Sequence, residues 1–363
     1  MNYKGKSIVI FTPSFFNKEK GDVMEIQPYY RIIMKPLFAV LLVFGLVACS
    51  DSDTVSGGTP APQAFSSVYV MEQTNDSLRA WDSAQTVSGD VVADRVVSGP
   101  DTGITSGYGI EYDSRSQSIL LGDNSRNAVV IFDNALNADG NVSPSRTIIG
   151  GSTLLNSGYD LALDEGRDLL YATTDFGLLV FSNASTADGD VSPVRVITGA
   201  DVPMSADHRL ALDAGNDRLY ISDFGNSLIM VYDNISSKTG NTAPDRVVTL
   251  STNPWGIALD AGRDIVYVNQ YAGSTIDIFD NAADMNGTVT PDRSISGGTV
   301  VFSEGADMVC DPVSDMLYLT TGNGSQVMVW HNASTVTGDT AADREIPGAN
   351  TGLSRPVDIV GIN

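Results

Sequence analysis

Lysine all but disappears from this chain after its first fifty residues: beyond Lys35 only Lys238 remains. With residues 1–48 set aside, 15 Arg and Lys side chains face 41 Asp and Glu, a net of −26. Such a surface repels phosphate backbones, so nucleic acid is not expected among the partners. Histidine is as scarce, with only His208 and His331, which leaves few candidates for imidazole acid–base chemistry. The two cysteines are Cys49, immediately after an N-terminal signal segment, and Cys310. Neither a disulfide framework nor a cysteine metal site can be built from one remaining thiol. Cys310 stands in "MVCD" where other repeats carry Leu163, Leu212 and Leu259, and reads as a core residue. No Gly-x-Ser-x-Gly elbow and no HExxH occur, so no catalytic residue is assigned. Sustained helical periodicity is also missing, which excludes bundles and coiled coils.

The single long apolar run lies at the front. From Met34 the chain reads "MKPLFAVLLVFGLVACS", with Leu37–Ala48 too short to span a bilayer, which takes about 20 residues. Leu46-Val47-Ala48-Cys49 resembles a bacterial lipobox, and Ser50 resembles the residue that follows the cysteine in outer-membrane-directed lipoproteins. The resemblance implies cleavage before Cys49, lipidation of its sulfur, and a lipid-anchored place in the cell envelope, in the outer membrane of a Gram-negative bacterium. Residues 1–33 then form an upstream extension from an early start codon, 34–48 a signal peptide, 49–65 a polar Gly/Pro-containing tether, and 66–363 the folded part.

What fills 66–363 is repetition. "GDVVADR", "GNVSPSR", "GDVSPVR", "GNTAPDR", "GTVTPDR" and "GDTAADR" place Gly89, Gly140, Gly189, Gly240, Gly287 and Gly338 six residues before Arg95, Arg146, Arg195, Arg246, Arg293 and Arg344. The glycine steps are 51, 49, 51, 47 and 51. Between copies run four short segments rich in Val, Ile, Leu and Tyr, bounded by Asp, Asn and Gly, as in "WGIALD", "IVYVNQ", "TIDIFD" and "RSISG". This pattern predicts an all-β, six-bladed β-propeller with four-stranded blades. The first repeat opens at a second strand, "SSVYVM", and the chain ends on a first strand, "PVDIVGIN". The C-terminal strand therefore closes the ring by pairing into the N-terminal blade.

"NPWGIALDAGRDIVYVNQYAGSTIDIF" at 253–279 resembles the NHL repeat, and looser copies at "GYGIEYD" and "GADMVCD" extend the likeness over 66–363. The resemblance implies the six-bladed fold; it does not select one activity, because such propellers serve many. The Gly-to-Arg motif is predicted to close the turn between third and fourth strands. Its glycine would take positive φ, and its arginine would brace Asp82, Asp133, Asp233 or Asp280. Blades 3 and 6 carry Ser182 and His331 instead, so the brace cannot be general. "NADGN" (137–141) and "TADGD" (186–190) lack the full spacing of a calcium loop.

Individuality between repeats is expected at the channel mouth, where two columns meet. The turn entering each first strand supplies Tyr108, Tyr159-Asp160, His208-Arg209, Trp255, Asp307 and Asp358; the ends of the second strands supply Glu72, Asp123 and Asp223. Aromatic faces beside carboxylates suit a protein, peptide or saccharide ligand, and a monomeric binding or scaffold propeller is the leading expectation. The alternative is a metal-dependent lactonase or hydrolase similar to the gluconolactonase-like propellers. There Glu72, Asp123 and Asp223, among the mouth carboxylates, would hold a divalent cation, Ca or Mg. That family's Glu-Gly-Pro turn is missing, and the His/Glu arrangement of virginiamycin-lyase-like propellers is unmatched.

Overall fold

The computed structural model describes residues 63–157, 160–205, 207–271, 274–298, 302 and 304–363. The signal segment, Cys49, most of the tether and Tyr159 lie outside the described residues. Six antiparallel sheets follow one another along the chain, and each is a blade. Blade 1 joins Pro356–Ile362 to Ser67–Glu72, Ser77–Asp82 and Arg95–Val97; blade 2 begins at Gly107–Asp113, blade 3 at Leu161–Asp164, blade 4 at His208–Asp213, blade 5 at Pro254–Asp260 and blade 6 at Gly305–Asp311. Each of these six first strands contacts the first strand on either side, blade 6 meeting blade 1, so the ring is closed. The closure is the one the sequence predicts: Ser67–Met71 pair with Ile362–Asp358. Phe65, assigned to the tether by sequence, already belongs to the fold. Its ring packs on Tyr318 and its N–H donates to Asp311 Oδ2 at 2.9 Å.

Each sheet is sandwiched between two others, and the strand sequences follow from that. The second strands Ser67–Glu72, Ser118–Asp123 and Leu169–Thr174 are buried along their whole length, so they read as continuous apolar runs rather than alternating ones. Six apolar clusters fill the six seams; one joins Trp81 and Val68 to Tyr318 and Ile346 between blades 1 and 6. Each fully buried Val, Leu, Ile or Phe in these seams contributes about 1.5–3 kcal/mol. Cys310 sits in one such cluster, and burial pushes its thiol well above its usual range.

The repeated motif does more than close a turn. All six glycines take φ between 68° (Gly240) and 85° (Gly89). From there Gly140 N–H donates to Val96 O (2.8 Å), Gly189 to Thr147 O (2.8 Å), Gly240 to Val196 O (2.7 Å) and Gly338 to Ser294 O (2.6 Å), each on the outer strand of the preceding blade. The next side chain reaches further. Asn141 caps Asp101 N, Asp190 caps Ser152 N, Asn241 caps Asp201 N and Asp90 caps Asn350 N, at 2.7–2.8 Å. The motif is therefore an inter-blade latch. The two calcium-like segments are part of it, because Asp139 and Asp188 accept from Val96 N and Thr147 N. The brace also forms: Arg95–Asp82 at 2.8 Å, Arg246–Asp233 at 2.5 Å, Arg293–Asp280 at 2.6 Å and, looser, Arg146–Asp133 at 3.6 Å. In blade 6, Arg344 Nε donates to His331 Nε2 instead (3.2 Å).

Blade 5 departs from this rule. Thr288 follows its glycine, and Gly287–Thr288 pair in parallel with Val248–Thr249 as a fifth strand on blade 4.

Candidate functional site

The inner edge of each first strand faces the channel, where no further strand exists to satisfy its N–H groups. One ring of equivalent positions answers that need: Gly109, Asp160, Arg209, Gly256, Asp307 and Asp358. Asp358 of blade 1 accepts from Ile110 N in blade 2 (2.7 Å), Asp160 of blade 3 from Leu210 N in blade 4 (2.6 Å), and Asp307 of blade 6 from Ile257 N in blade 5 (3.3 Å). Three aspartates thus tie six blades in three pairs. The two glycines make room for them: a Cβ on Gly109 would lie 2.7 Å from Asp160 Cα, and one on Gly256 3.0 Å from Asp307 Cα and against Ala306 O.

The three carboxylates converge, with one oxygen of each within 4.8 Å of the others. Arg209 completes the ring. Its Nε lies 2.9 Å from Asp307 Oδ2, and its guanidinium stacks 4.4 Å from the Tyr108 ring centroid. Burial opposes the charge on Arg209, but Tyr108, Asp307, Asp160 and Asp358 outweigh it and hold the side chain protonated. For the carboxylates burial wins. It pushes Asp307 up despite Arg209, Asp160 up with help from Asp307, and Asp358 well up with help from both. Beneath the ring lies a cavity of about 280 Å³ lined by these aspartates, Glu111, and aliphatic side chains such as Leu161, Leu210 and Ile257. Glu111 is a fourth acid, its carboxyl pushed up to about 8 first by burial and then by the Asp160 charge. Sequence reasoning missed it, although a signal was there: the other five blades carry Ala162, Ala211, Ala258, Val309 and Val360 at that position.

Among the described residues, Glu72, Asp123 and Asp223 do not join this cluster, so the metal-ligand set expected from sequence is not gathered there. Each spends its oxygens on the turn beside it. Glu72 accepts from Thr74 N, Asn75 Nδ2 and Arg355 N (2.8–3.0 Å); Asp123 accepts from Thr105 N and Arg126 N (2.6 and 3.0 Å). Asp223 accepts from Ser205 N and Asn226 N (2.8 and 2.9 Å), with His208 Nε2 at 3.4 Å. These acids cap second-strand ends and pin the entry loops to them. Among the described residues the carboxylates that meet in the channel are Asp160, Asp307 and Asp358, and Glu111 lines the cavity beside them.

The aromatic column also divides. Tyr108 and His208 are buried. Trp255 stays half-exposed and joins two aromatics from second-to-third-strand turns. Its ring stacks on Tyr271 (5.0 Å, 27°), and Phe224 stands edge-on to both (5.2 Å, 81° and 5.1 Å, 85°). Beside them Tyr108, Trp255, Tyr271, Glu304, Gly305, Ala306, Gly322, Arg355 and Val357 line a small notch of about 50 Å³. The group is uncovered because the entry loop before it is short. Twelve positions separate Val97 from Gly109, Ile148 from Asp160, Ile197 from Arg209, Ile295 from Asp307 and Ile346 from Asp358; only eight separate Val248 from Gly256. The 47-residue step in the sequence is this missing loop segment.

No family model matches the chain, and neither does any curated protein sequence. Likeness exists in structure. A chain from a nidogen–laminin complex superposes with a TM-score of 0.59 at 15% identity, over 81% of this chain and 97% of that one. A functionally unknown protein from Desulfotomaculum acetoxidans superposes with 0.53 at 12% identity, over 80% and 83%. At such identities what is shared is the fold: a six-bladed β-propeller.

Proposed function

We propose that the protein is a lipid-anchored binding propeller that recognises its ligand at the Trp255–Tyr271 notch. The observation that carries this reading is the Arg209–Asp307 contact. The charge that a channel metal would supply comes from the chain's own guanidinium, and Asp160, Asp307 and Asp358 are each already bonded to a backbone N–H. That arrangement ties the ring together with the chain's own groups and leaves recognition to the rim. The NHL-like repeats and the nidogen–laminin neighbour are compatible with a binding role.

The chain enters the fold at Phe65, bonded to Asp311 at the end of the blade 6 first strand, whereas the notch is built from the residues that open such strands.

The alternative, a metal-dependent lactonase or hydrolase, draws on the same trio of converging carboxylates. Asp160 and Asp358 with Asp307 are the residues that would hold the cation there, in competition with Arg209.

The test compares wild type with a Trp255→Ala/Tyr271→Ala double variant on glycan and peptide arrays. Expected is a ligand held by wild type and lost by the variant at unchanged melting temperature. If no ligand of either class depends on these two rings, the binding reading falls. A melting temperature lowered by a chelator, together with lactone turnover, would favour the hydrolase.

A further inference from the structure

We infer that the notch takes a neutral sugar ring. This rests on the binding reading above and names its ligand class. Tyr271 is 36% exposed and is held by stacking on Trp255 and by the edge of Phe224. A ring fixed in this way offers a flat apolar face with little rotamer freedom left to lose on binding. The floor is backbone, at Gly305, Ala306 and Gly322. The polar lining comes from Glu304, an acceptor, and Arg355, a planar multiple donor. No ion pair among the described residues uses either side chain.

Three ligand chemistries can be weighed against this lining. A cation would gain from the rings and Glu304 but would meet Arg355. An anion would meet Glu304 and a chain whose net charge is −23. A neutral sugar has an apolar C–H face for Tyr271 and Trp255, and hydroxyl edges that both donate to Glu304 and accept from Arg355, so the ring pair and both charged lining groups are used. The same field disfavours uronates and sialylated glycans. The pattern is local to this seam, because only here is the entry loop short enough to uncover the rings.

The site has a built-in reporter. Trp81 and Trp330 are 1% and 0% exposed within the blade seams, so a ligand at the notch should move only the Trp255 emission. The experiment titrates full-length mature protein with array-selected neutral oligosaccharides, with choline, with lysine peptides and with oligouronates. Expected is a saturable change with at least one neutral oligosaccharide, lost in Trp255→Phe. Its affinity should fall about tenfold in Tyr271→Ala, be kept in Tyr271→Phe, and fall several-fold in Glu304→Gln. Near-ultraviolet circular dichroism on each variant checks that the fold is intact.

Binding of charged ligands alone, or neutral-sugar binding indifferent to Tyr271→Ala, overturns the inference. Peptide binding that depends on Trp255 and Tyr271, without any sugar binding, overturns the saccharide assignment and leaves the binding propeller standing. Absence of both removes the two together.

Discussion

Arg209 Nε lies 2.9 Å from Asp307 Oδ2 although the first belongs to blade 4 and the second to blade 6, so the contact passes over blade 5. It is a buried pair, at 2% and 6% side-chain exposure, and it balances three acids with one base. Removing the base leaves buried charge or forces protonation.

Arg209→Leu should therefore destabilise the propeller by about 3–5 kcal/mol, the usual cost of orphaning one half of a buried ion pair. Arg209→Lys should cost less but not recover wild type, since an ammonium cannot stack flat on Tyr108 while reaching Asp307. Urea unfolding monitored by tryptophan emission measures both. A loss below about 1 kcal/mol in Arg209→Leu would show that the ring does not depend on its own cation.

The channel acids set a pH dependence whose sign is fixed. Glu111 is raised to about 8 in the folded protein, and Asp160, Asp307 and Asp358 are raised as well. Above the ordinary carboxylate range the unfolded chain releases these protons while the folded one retains them. The stability they contribute is present in acid and is lost as pH rises toward about 8 for Glu111. Glu111→Gln should melt near the wild-type temperature at pH 5 and above it at pH 8. Calorimetry at the two pH values decides; a constant offset between the proteins contradicts the assignment.

The latch predicts an asymmetry among the blades. Asn141→Ala, Asp190→Ala and Asn241→Ala each remove a cap on the neighbouring blade and should cost about 1 kcal/mol. Thr288→Ala, at the same place in blade 5, should cost little, because threonine carries no carboxylate or amide to cap the neighbouring loop and its backbone pairing with Thr249 survives the change. Melting temperatures of the four variants test this; equal losses in all four would place the stabilisation elsewhere.

Two glycines of the channel ring should tolerate no side chain. Gly109→Ala drives a Cβ to 2.7 Å from Asp160 Cα, and Gly256→Ala drives one onto Ala306 O, both unyielding backbone. Gly262→Ala, where the nearest atom is Asp260 Oδ1 at 3.4 Å, serves as control. Soluble yield and melting temperature should collapse in the first two and hold in the third.

How much of this was legible beforehand follows from the range of the interactions. Strand count, blade order and closure by Pro356–Ile362 could all be read from the period, since each blade touches only its neighbours and repeats its own local geometry. Arginine braces at Asp82, Asp233 and Asp280 were readable too, being contacts of 13 residues. The latch was not, because the glycine acts on the preceding blade. The channel set was only half visible. Asp160, Asp307 and Asp358 stood in one sequence column and Asp123 and Asp223 in another, but nothing local showed which column meets across the axis and which caps turns. Glu111 was concealed within a strand whose other copies are apolar.

The chain's order of residues thus determined the ring, its six seams and its acidity. Which acids face one another across the axis, and where the rim is bare, was decided by folding. The Arg209–Asp307 and Asp160–Asp307 contacts join blades that are not neighbours, and their distances exist only once the ring has closed.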